Sequence, residues 1–415
     1  MFNYRKFVLE HIKENCFCML KERSGVFNHP FVVPGAGYES DLWDWDSYWS
    51  GYALLDIVEY FSKDANFDYA EKREKVLLHL KGNILNFLEN KEADGFIPGT
   101  ITSAGLFSTY FVDRHKAGKS VNQCKPFLCA AALRVSQYEK DAAWIEGYLT
   151  DIADYLEYYE RCQKHQASGL YFWMNDIMIG IDNNPTVFGR PEKSSGDIFL
   201  NCFMYAELVA AAKLFEMAGK DGNLYAKRAQ ALKESINRYM YDENDGFYYS
   251  VDLQTEDHSD EIFHKSMKPF WTVLPIKIKL WAGFLPMTFG ISSPEQNARL
   301  IQTYLDPQFF CEYGIRTLSS KERMYTLEST SNPSNWLGPV WIVSNYCLFK
   351  GLLAAGRKDL ADDMKERTLK VLGMDIQETG KMSESYIPET GERMMWNGFL
   401  NWNCLAVSMI KESEL

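Results

Sequence analysis

Along most of this chain of 415 residues, apolar positions recur at the three-to-four spacing of an amphipathic helix. Val76, Leu77, Leu80, Ile84, Leu85 and Leu88 form one stripe, and Trp144, Tyr148, Ile152, Tyr155, Leu156 and Tyr159 another. Each predicts a helix that packs one face inward. The same period predicts helices over residues 4–23, 47–62, 123–137, 197–219, 222–240, 268–282, 293–304, 336–355, 358–372 and 397–411. Between them stand clusters of Gly, Pro, Asn and Asp, among them NHPFVVPGAGYESD, GFIPGT, IGIDNNPT, DENDG, TSNPSN and SYIPETGE, which read as loops and turns. Alternation of period two is rare. Its best instance is GFYYSV at 246–251, so β-hairpins are expected only as minor additions in loops. No Pro-rich linker or charge block divides the chain, which predicts one all-α domain over residues 1–415. Helices joined by short loops lie antiparallel to their neighbours, and about a dozen can close into a ring of hairpins with loops gathered at its two ends.

Composition narrows the functional classes. With 46% hydrophobic and 24% charged residues, the chain can bury a large core, so disordered and fibrous classes fall away. A net charge of −12 disfavours nucleic acid or an anionic membrane as partner and leaves a neutral molecule, or a small anion held by local cations. The first twenty residues mix Arg5, Lys6, Glu10, Lys13 and Glu14 into their apolar positions, so they read as an amphipathic helix and not as a leader or a membrane span. The nine cysteines are odd in number and scattered, which fits reduced thiols. Both near matches to a glycosylation sequon, at Asn184 and Asn332, carry Pro in the middle position. These features predict a cytoplasmic protein; assembly into a homo-oligomer is allowed.

The chemistry concentrates in four loops that combine turn residues with carboxylates, Trp and Tyr. The first, residues 34–49, carries Tyr38, Trp43, Trp45 and Asp46; Trp faces stack on the apolar faces of sugars while carboxylates accept from their hydroxyls. It reads equally well as an aromatic helix entrance capped by Asp46 or Ser47. The second, 171–185, delivers Asp182 from apolar flanks into a turn. Desolvation there would raise its pKa as a general acid requires, although an Asx-turn is the simpler reading of Asp-Asn-Asn-Pro alone. The third pairs 313–319 with 333–341, where Trp336 and Trp341 serve as platform or core. The fourth, 383–391, carries Glu384, followed by Trp396 and Trp402. No HExxH, paired CxxC, phosphate loop or Gly-x-Ser-x-Gly is present, and the seven histidines have no ligand spacing, so neither metal nor cofactor is expected. Abundant loop carboxylates favour two-carboxylate acid/base chemistry on a polyhydroxylated substrate.

In order and spacing, these segments resemble the α/α toroid glycosidases of glycoside hydrolase family 63 and the related trehalases. Trp45-Asp46-Ser47-Tyr48-Trp49 resembles the end of a trehalase signature, and Gly180-Ile181-Asp182-Asn183-Asn184-Pro185 the family's acid loop. Residues 313–319 and 336–341 resemble its Gly-Ile-Arg-Ser-Leu-Ser and Tyr-Trp-Arg-Gly-Pro-Val-Trp segments, and 383–391 its base loop. The resemblance implies an (α/α)6 toroid and an exo-acting, inverting α-glycosidase in which Asp182 is the general acid and Glu384 the general base. It also implies a sugar pocket lined by Trp43, Trp45, Asp46, Gln123, Trp173, Gly180, Trp336 and Gly338, with Tyr38 and Tyr386 near its rim. Leu337 stands where the family has Arg, and the trehalase signature's Arg is replaced in the Ala36-Gly37 region, which argues against a strict trehalase. The run 175–183 resembles compact members that hydrolyse mannosylglycerate and glucosylglycerate. A glycerate carboxylate would need a cation, for which Lys125, Arg190 and Arg316 lie near the matched loops. A neutral disaccharide is the alternative substrate. A sugar epimerase and a non-catalytic sugar-binding toroid are the alternative classes.

Overall fold

The computed structural model describes residues 3–35, 37–103, 107–255, 260–263, 265–267, 271–329 and 332–414. Within them the apolar periodicity resolves into thirteen α-helices: α1 (Tyr4–Asn15), α2 (Asp44–Tyr60), α3 (Tyr69–Glu89), α4 (Phe107–Lys116), α5 (Leu128–Glu139), α6 (Leu149–Cys162), α7 (Ile198–Met217), α8 (Asn223–Tyr239), α9 (Leu285–Thr288), α10 (Pro294–Leu305), α11 (Ile342–Ala354), α12 (Lys358–Thr379) and α13 (Leu405–Ser413). They divide by pattern. In α7 and α11 nearly every position is buried, from Ile198 to Met204 and from Ile342 to Phe349, so these helices are apolar all round and belong inside. By contrast α6 buries the stripe Ile152, Tyr155, Leu156 and Tyr159, and α8 buries Tyr225, Ala229, Leu232 and Ile236, leaving polar faces outward.

Packing closes the ring. Helix α2 lies against α5, α5 against α7, α7 against α9, α9 against α11, α11 against α13, and α13 returns to α2. Outer helices cover this ring: α3 packs on α2 and α5, α8 on α7, α12 on α11 and α13, and α1 on α12. The architecture is an (α/α)6 toroid, six inner and six outer helices, with α4 as an addition. Helix α7 is long and apolar enough to cross a membrane, yet 72% of that stretch is buried within the ring.

Chain direction then fixes where the loops fall. Connections from an inner helix to the next outer one are short, such as 218–222 and 355–357, whereas those from an outer to an inner helix are long: 16–43, 90–127, 163–197, 240–284, 306–341 and 380–404. All four chemistry-bearing segments belong to the long class, so the topology gathers them at one end. Short antiparallel pairs brace them, including Asp41–Trp43 with Thr100–Thr102 and Ser383–Tyr386 with Arg393–Asn397. The expected hairpin also forms, with Phe247–Tyr248 paired to Tyr241–Asp242 and Val251–Asp252 to Leu274–Pro275.

Several elements differ from the sequence expectation: the helices expected over 123–137, 336–355 and 397–411 begin only at Leu128, Ile342 and Leu405, and the one over 4–23 ends at Asn15. The described part of 268–282 is not helical before Trp281, because Pro275 lacks an N–H and Ile276, Ile278 and Leu280 alternate with lysines as an extended segment does. Residues 268–270 lie outside the described set. Helix α4 has no counterpart in the expected set, since FSTYFVDRHK is rich in residues of modest helix propensity. Helix α2 starts three residues early, with Trp43 as its first flanking residue and no side-chain cap, so Asp46 sits inside the first turn and does not cap it. All nine cysteines are unpaired.

The outer layer depends on a close approach of α1 to α12 at Gly373, where an added Cβ would stand 2.6 Å from the Tyr4 ring. Gly373→Leu is expected to destabilise by about 1–3 kcal/mol through overpacking, read as a lower urea midpoint at unchanged slope; an unchanged midpoint would contradict this packing.

Candidate active site

Asp182 hangs from a loop that the rest of the fold pins at many points. Asn122 Nδ2 donates to the carbonyls of Asn175 and Ile177 (3.1 and 2.6 Å). Downstream, Asp197, fully buried ahead of α7, accepts from Asn184 Nδ2 (3.0 Å), Thr186 Oγ1 (3.2 Å), Ser250 Oγ (3.0 Å) and Trp173 Nε1 (3.2 Å). Asn183 bridges to the third segment: its amide donates to Asn335 Oδ1 (3.1 Å) and its side-chain carbonyl oxygen accepts from Trp336 N (2.8 Å). Gly180 adopts φ +87° with Lys125 and Trp45 close on the side a Cβ would occupy, so a larger residue there is both strained and crowded. Burial raises the Asp182 pKa, against the pull of a hydrogen bond from Ser334 and the charge of Lys125.

Glu384 rides on the strand Ser383–Tyr386. Tyr386 exchanges both backbone hydrogen bonds with Val340 (2.9 and 3.0 Å), and its hydroxyl donates to Asp375 of α12 while accepting from Ser383 N. Burial raises the Glu384 pKa well above the usual range, and the nearby charges of Asp46 and Asp182 add to it; a hydrogen bond from the Tyr38 phenol opposes them. Its Oε2 is buried without a hydrogen-bond partner among the described residues, a cost that a substrate hydroxyl or water would relieve.

Beside the Asp182 loop lies a buried ion pair. Lys125 Nζ contacts Asp44 Oδ1 at 2.8 Å, with the two side chains 2% and 1% exposed. Asp44 also accepts from Trp45 N (2.7 Å) and Lys125 N (2.8 Å), and the ammonium donates to Met178 O (3.1 Å). Burial pushes Asp46, which accepts from Asn401 Nδ2, up to about 8.

Asp46, Lys125, Asp182 and Glu384 line one cavity of about 640 Å³. Its aromatic wall is a cluster: Trp336 stacks on Trp341 with centroids 4.0 Å apart, Trp45 lies 5.7 Å from Trp336 and 5.2 Å from Trp402, and Trp402 lies 5.7 Å from Trp341. Of the residues singled out from sequence, Tyr38, Trp43, Trp45, Asp46, Gly180, Asp182, Trp336 and Glu384 line it. Gln123, Trp173, Gly338 and Tyr386 do not. Gln123 is spent on Ile97 N and Gly95 O, Trp173 on Asp197, and Tyr386 on Asp375 and Ser383, while Gly338 fits against Tyr325 at φ +149°. All four are therefore supports of the lining. Of the cation candidates, Arg190 turns to Asp252 (2.6 Å) and Arg316 to Glu389 (2.8 Å); Lys125 alone of the three lines the cavity. The sequence pattern does not assign Trp402, Trp341, Ser334, Phe111, Ile177 or Phe188 to the lining. For the two tryptophans a signal is present, since both belong to or follow the matched loops. Among the described residues no three His, Cys, Asp or Glu side chains are grouped as a metal ion would need.

Comparison with known proteins bears on the fold and the family. The chain is 21% identical over 339 residues to a mannosyl-oligosaccharide glucosidase of Arabidopsis thaliana, covering 68% of this chain and 39% of that one. It is 25% identical over 175 residues to a cytosolic neutral trehalase of Kluyveromyces lactis, covering 39% and 21%. It thus spans well under half the length of these curated relatives. In fold it is similar to a mannosylglycerate hydrolase of glycoside hydrolase family 63 from Thermus thermophilus, solved in complex with Tris and D-glycerate, at TM-score 0.69 and 17% identity over 98% of this chain and 99% of that one. The model of the mannosylglycerate hydrolase MGH1-like glycoside hydrolase domain matches residues 39–403, which include both candidate carboxylates and the whole cavity wall apart from Pro34 and Tyr38, and the chain belongs to that family.

Proposed function

We propose that this chain is an inverting, exo-acting α-glycoside hydrolase that releases terminal glucose or mannose from a small α-glycoside, with Asp182 as general acid and Glu384 as general base. The observation that carries this reading is topological. The Asp182 loop leads into α7 and the Glu384 loop leads into α13, the third and sixth helices of the inner ring counted from α2, so loops on opposite sides of the ring supply the two carboxyls that line one cavity. Inversion needs that arrangement, one group protonating the leaving oxygen and the other activating water across the sugar ring. Tryptophan faces on the wall and the carboxyl of Asp46 suit a sugar.

Protonation bears on both roles. Burial keeps a proton on Asp182 to higher pH, as an acid requires. Burial and the nearby Asp46 and Asp182 carboxyls raise the Glu384 pKa, while the Tyr38 phenol favours the ionised form that a base needs. No histidine lines the cavity among the described residues, which deprives an epimerase of its usual base. One continuous main core from Val8 to Ile410 supports reading the chain as a single catalytic unit, and unpaired cysteines support a reducing, cytoplasmic setting.

Glycosyl fluorides separate the two carboxyls, because fluoride leaves without protonation. Asp182→Asn is expected to lower kcat on O-glycosides by about 10²–10⁴-fold while retaining α-glycosyl fluoride hydrolysis, and Glu384→Gln to lose both; the reverse pattern would exchange the roles, and undiminished activity in both variants would refute the reading. Tyr38→Phe removes a donor that stabilises ionised Glu384, so the Glu384 pKa rises. The acidic limb of the kcat/KM profile should then move to higher pH by about one unit; movement to lower pH would contradict the assignment. Asp197→Ala leaves Asn184, Thr186 and Ser250 without their common acceptor, so kcat should fall roughly tenfold or more with the Glu384 limb of the pH profile unmoved.

A further inference from the structure

The cavity mouth differs in character from its interior. Ile177 and Phe188 line it while standing 43% and 54% exposed, and Met178, Pro333 and Met395 join them. Large apolar side chains held open to solvent at a cavity rim mark a binding surface. Their backbone is fixed. Ile177 N donates to Asn175 Oδ1 (3.0 Å) and its carbonyl accepts from Asn122, while Phe188 N donates to Asn184 O (2.7 Å). Gly189 N donates to the Asp176 carboxylate (3.1 Å), which ties the two ends of this rim together.

Charge at the mouth runs one way. Asp176 lies among the lining beside Ile177, and Lys125 is the sole cation among the described residues lining the cavity. That ammonium is 2% exposed and already engaged by Asp44 and Met178 O. Arg190, two residues beyond Phe188, is turned to Asp252. A carboxylate placed beyond the sugar would lose its hydration against apolar side chains and meet no uncommitted cation among the described lining residues.

Resting on the hydrolase reading, we infer that the subsite beyond the scissile bond takes an uncharged aglycone, laid with an apolar face on Phe188 and Ile177, and discriminates against a carboxylate there. The sharpest test uses two α-glycosides that differ in one group, the glycerol and the D-glycerate glycosides of whichever sugar, glucose or mannose, is accepted as its α-fluoride. Wild-type protein should show at least tenfold higher kcat/KM on the glycerol glycoside, and Phe188→Arg should shift that ratio tenfold or more toward glycerate. A severalfold lower KM for the benzyl than for the methyl glycoside should vanish in Phe188→Ala. Equal or higher kcat/KM on the glycerate glycoside, with the fluoride hydrolysed, overturns the inference and leaves the hydrolase reading standing. Persistence of the benzyl advantage in Phe188→Ala overturns the placement of the subsite. Failure on the fluorides and both glycosides overturns the two readings together.

Discussion

A single buried ion pair, Lys125 with Asp44, holds the working end of this toroid together. Asp44 opens α2, Lys125 belongs to the segment that leads into α5, and the ammonium reaches across to the carbonyl of Met178 in the Asp182 loop. Three stretches distant in sequence thus converge on one cation. Removing either partner would leave an uncompensated charge in a nearly dry site, a loss of about 3–5 kcal/mol in comparable cases. Its position also carries electrostatic weight, because the same ammonium opposes the burial-driven rise in the pKa of Asp46 and of Asp182. Structure and proton chemistry here share one interaction.

Around that pin the ring supplies the geometry. Inner helices that are apolar on all sides must be enclosed, and outer helices with a single apolar stripe must enclose them, so closure follows from the two patterns. Alternation of outer and inner helices sends every long connection to one end. Polar groups of those loops would be costly to bury unpaired, and they are satisfied by one another: Asp197 gathers four side chains, Asn183 joins the second segment to the third, and Tyr386 ties the Glu384 strand to α12. The carboxyls that face the cavity are held by this lattice, and Glu384 Oε2 is left without a hydrogen-bond partner among the described residues.

Much of this is legible in the chain itself. The helix periodicity of α6, α7 and α11 and the composition of the four loops point to the all-α class and to the cavity wall, since Asp182, Glu384, Trp45 and Trp336 all face one space. What escapes the sequence pattern has physical causes. Trp173 and Tyr386 occur in the matched loops, and Gln123 in the stretch before α5, yet all three turn away from the cavity, because a motif needs supports as much as contacts and spacing does not distinguish the two. Ile177 and Phe188 read as ordinary apolar residues in sequence; only their exposure beside a cavity gives them meaning. The segment 271–280 carries enough apolar residues to imitate a helix, and Pro275 decides against it.

Catalysis as proposed turns on two carboxyls acting from opposite sides of one sugar ring, and stereochemistry reports that directly. Anomer-resolved proton NMR during the first minutes of hydrolysis of an accepted α-glycoside would follow the released sugar before mutarotation. The β-anomer is expected to appear first. Initial release of the α-anomer would mean a double displacement through a covalent intermediate, and would contradict the assignment of Glu384 as a base that activates water.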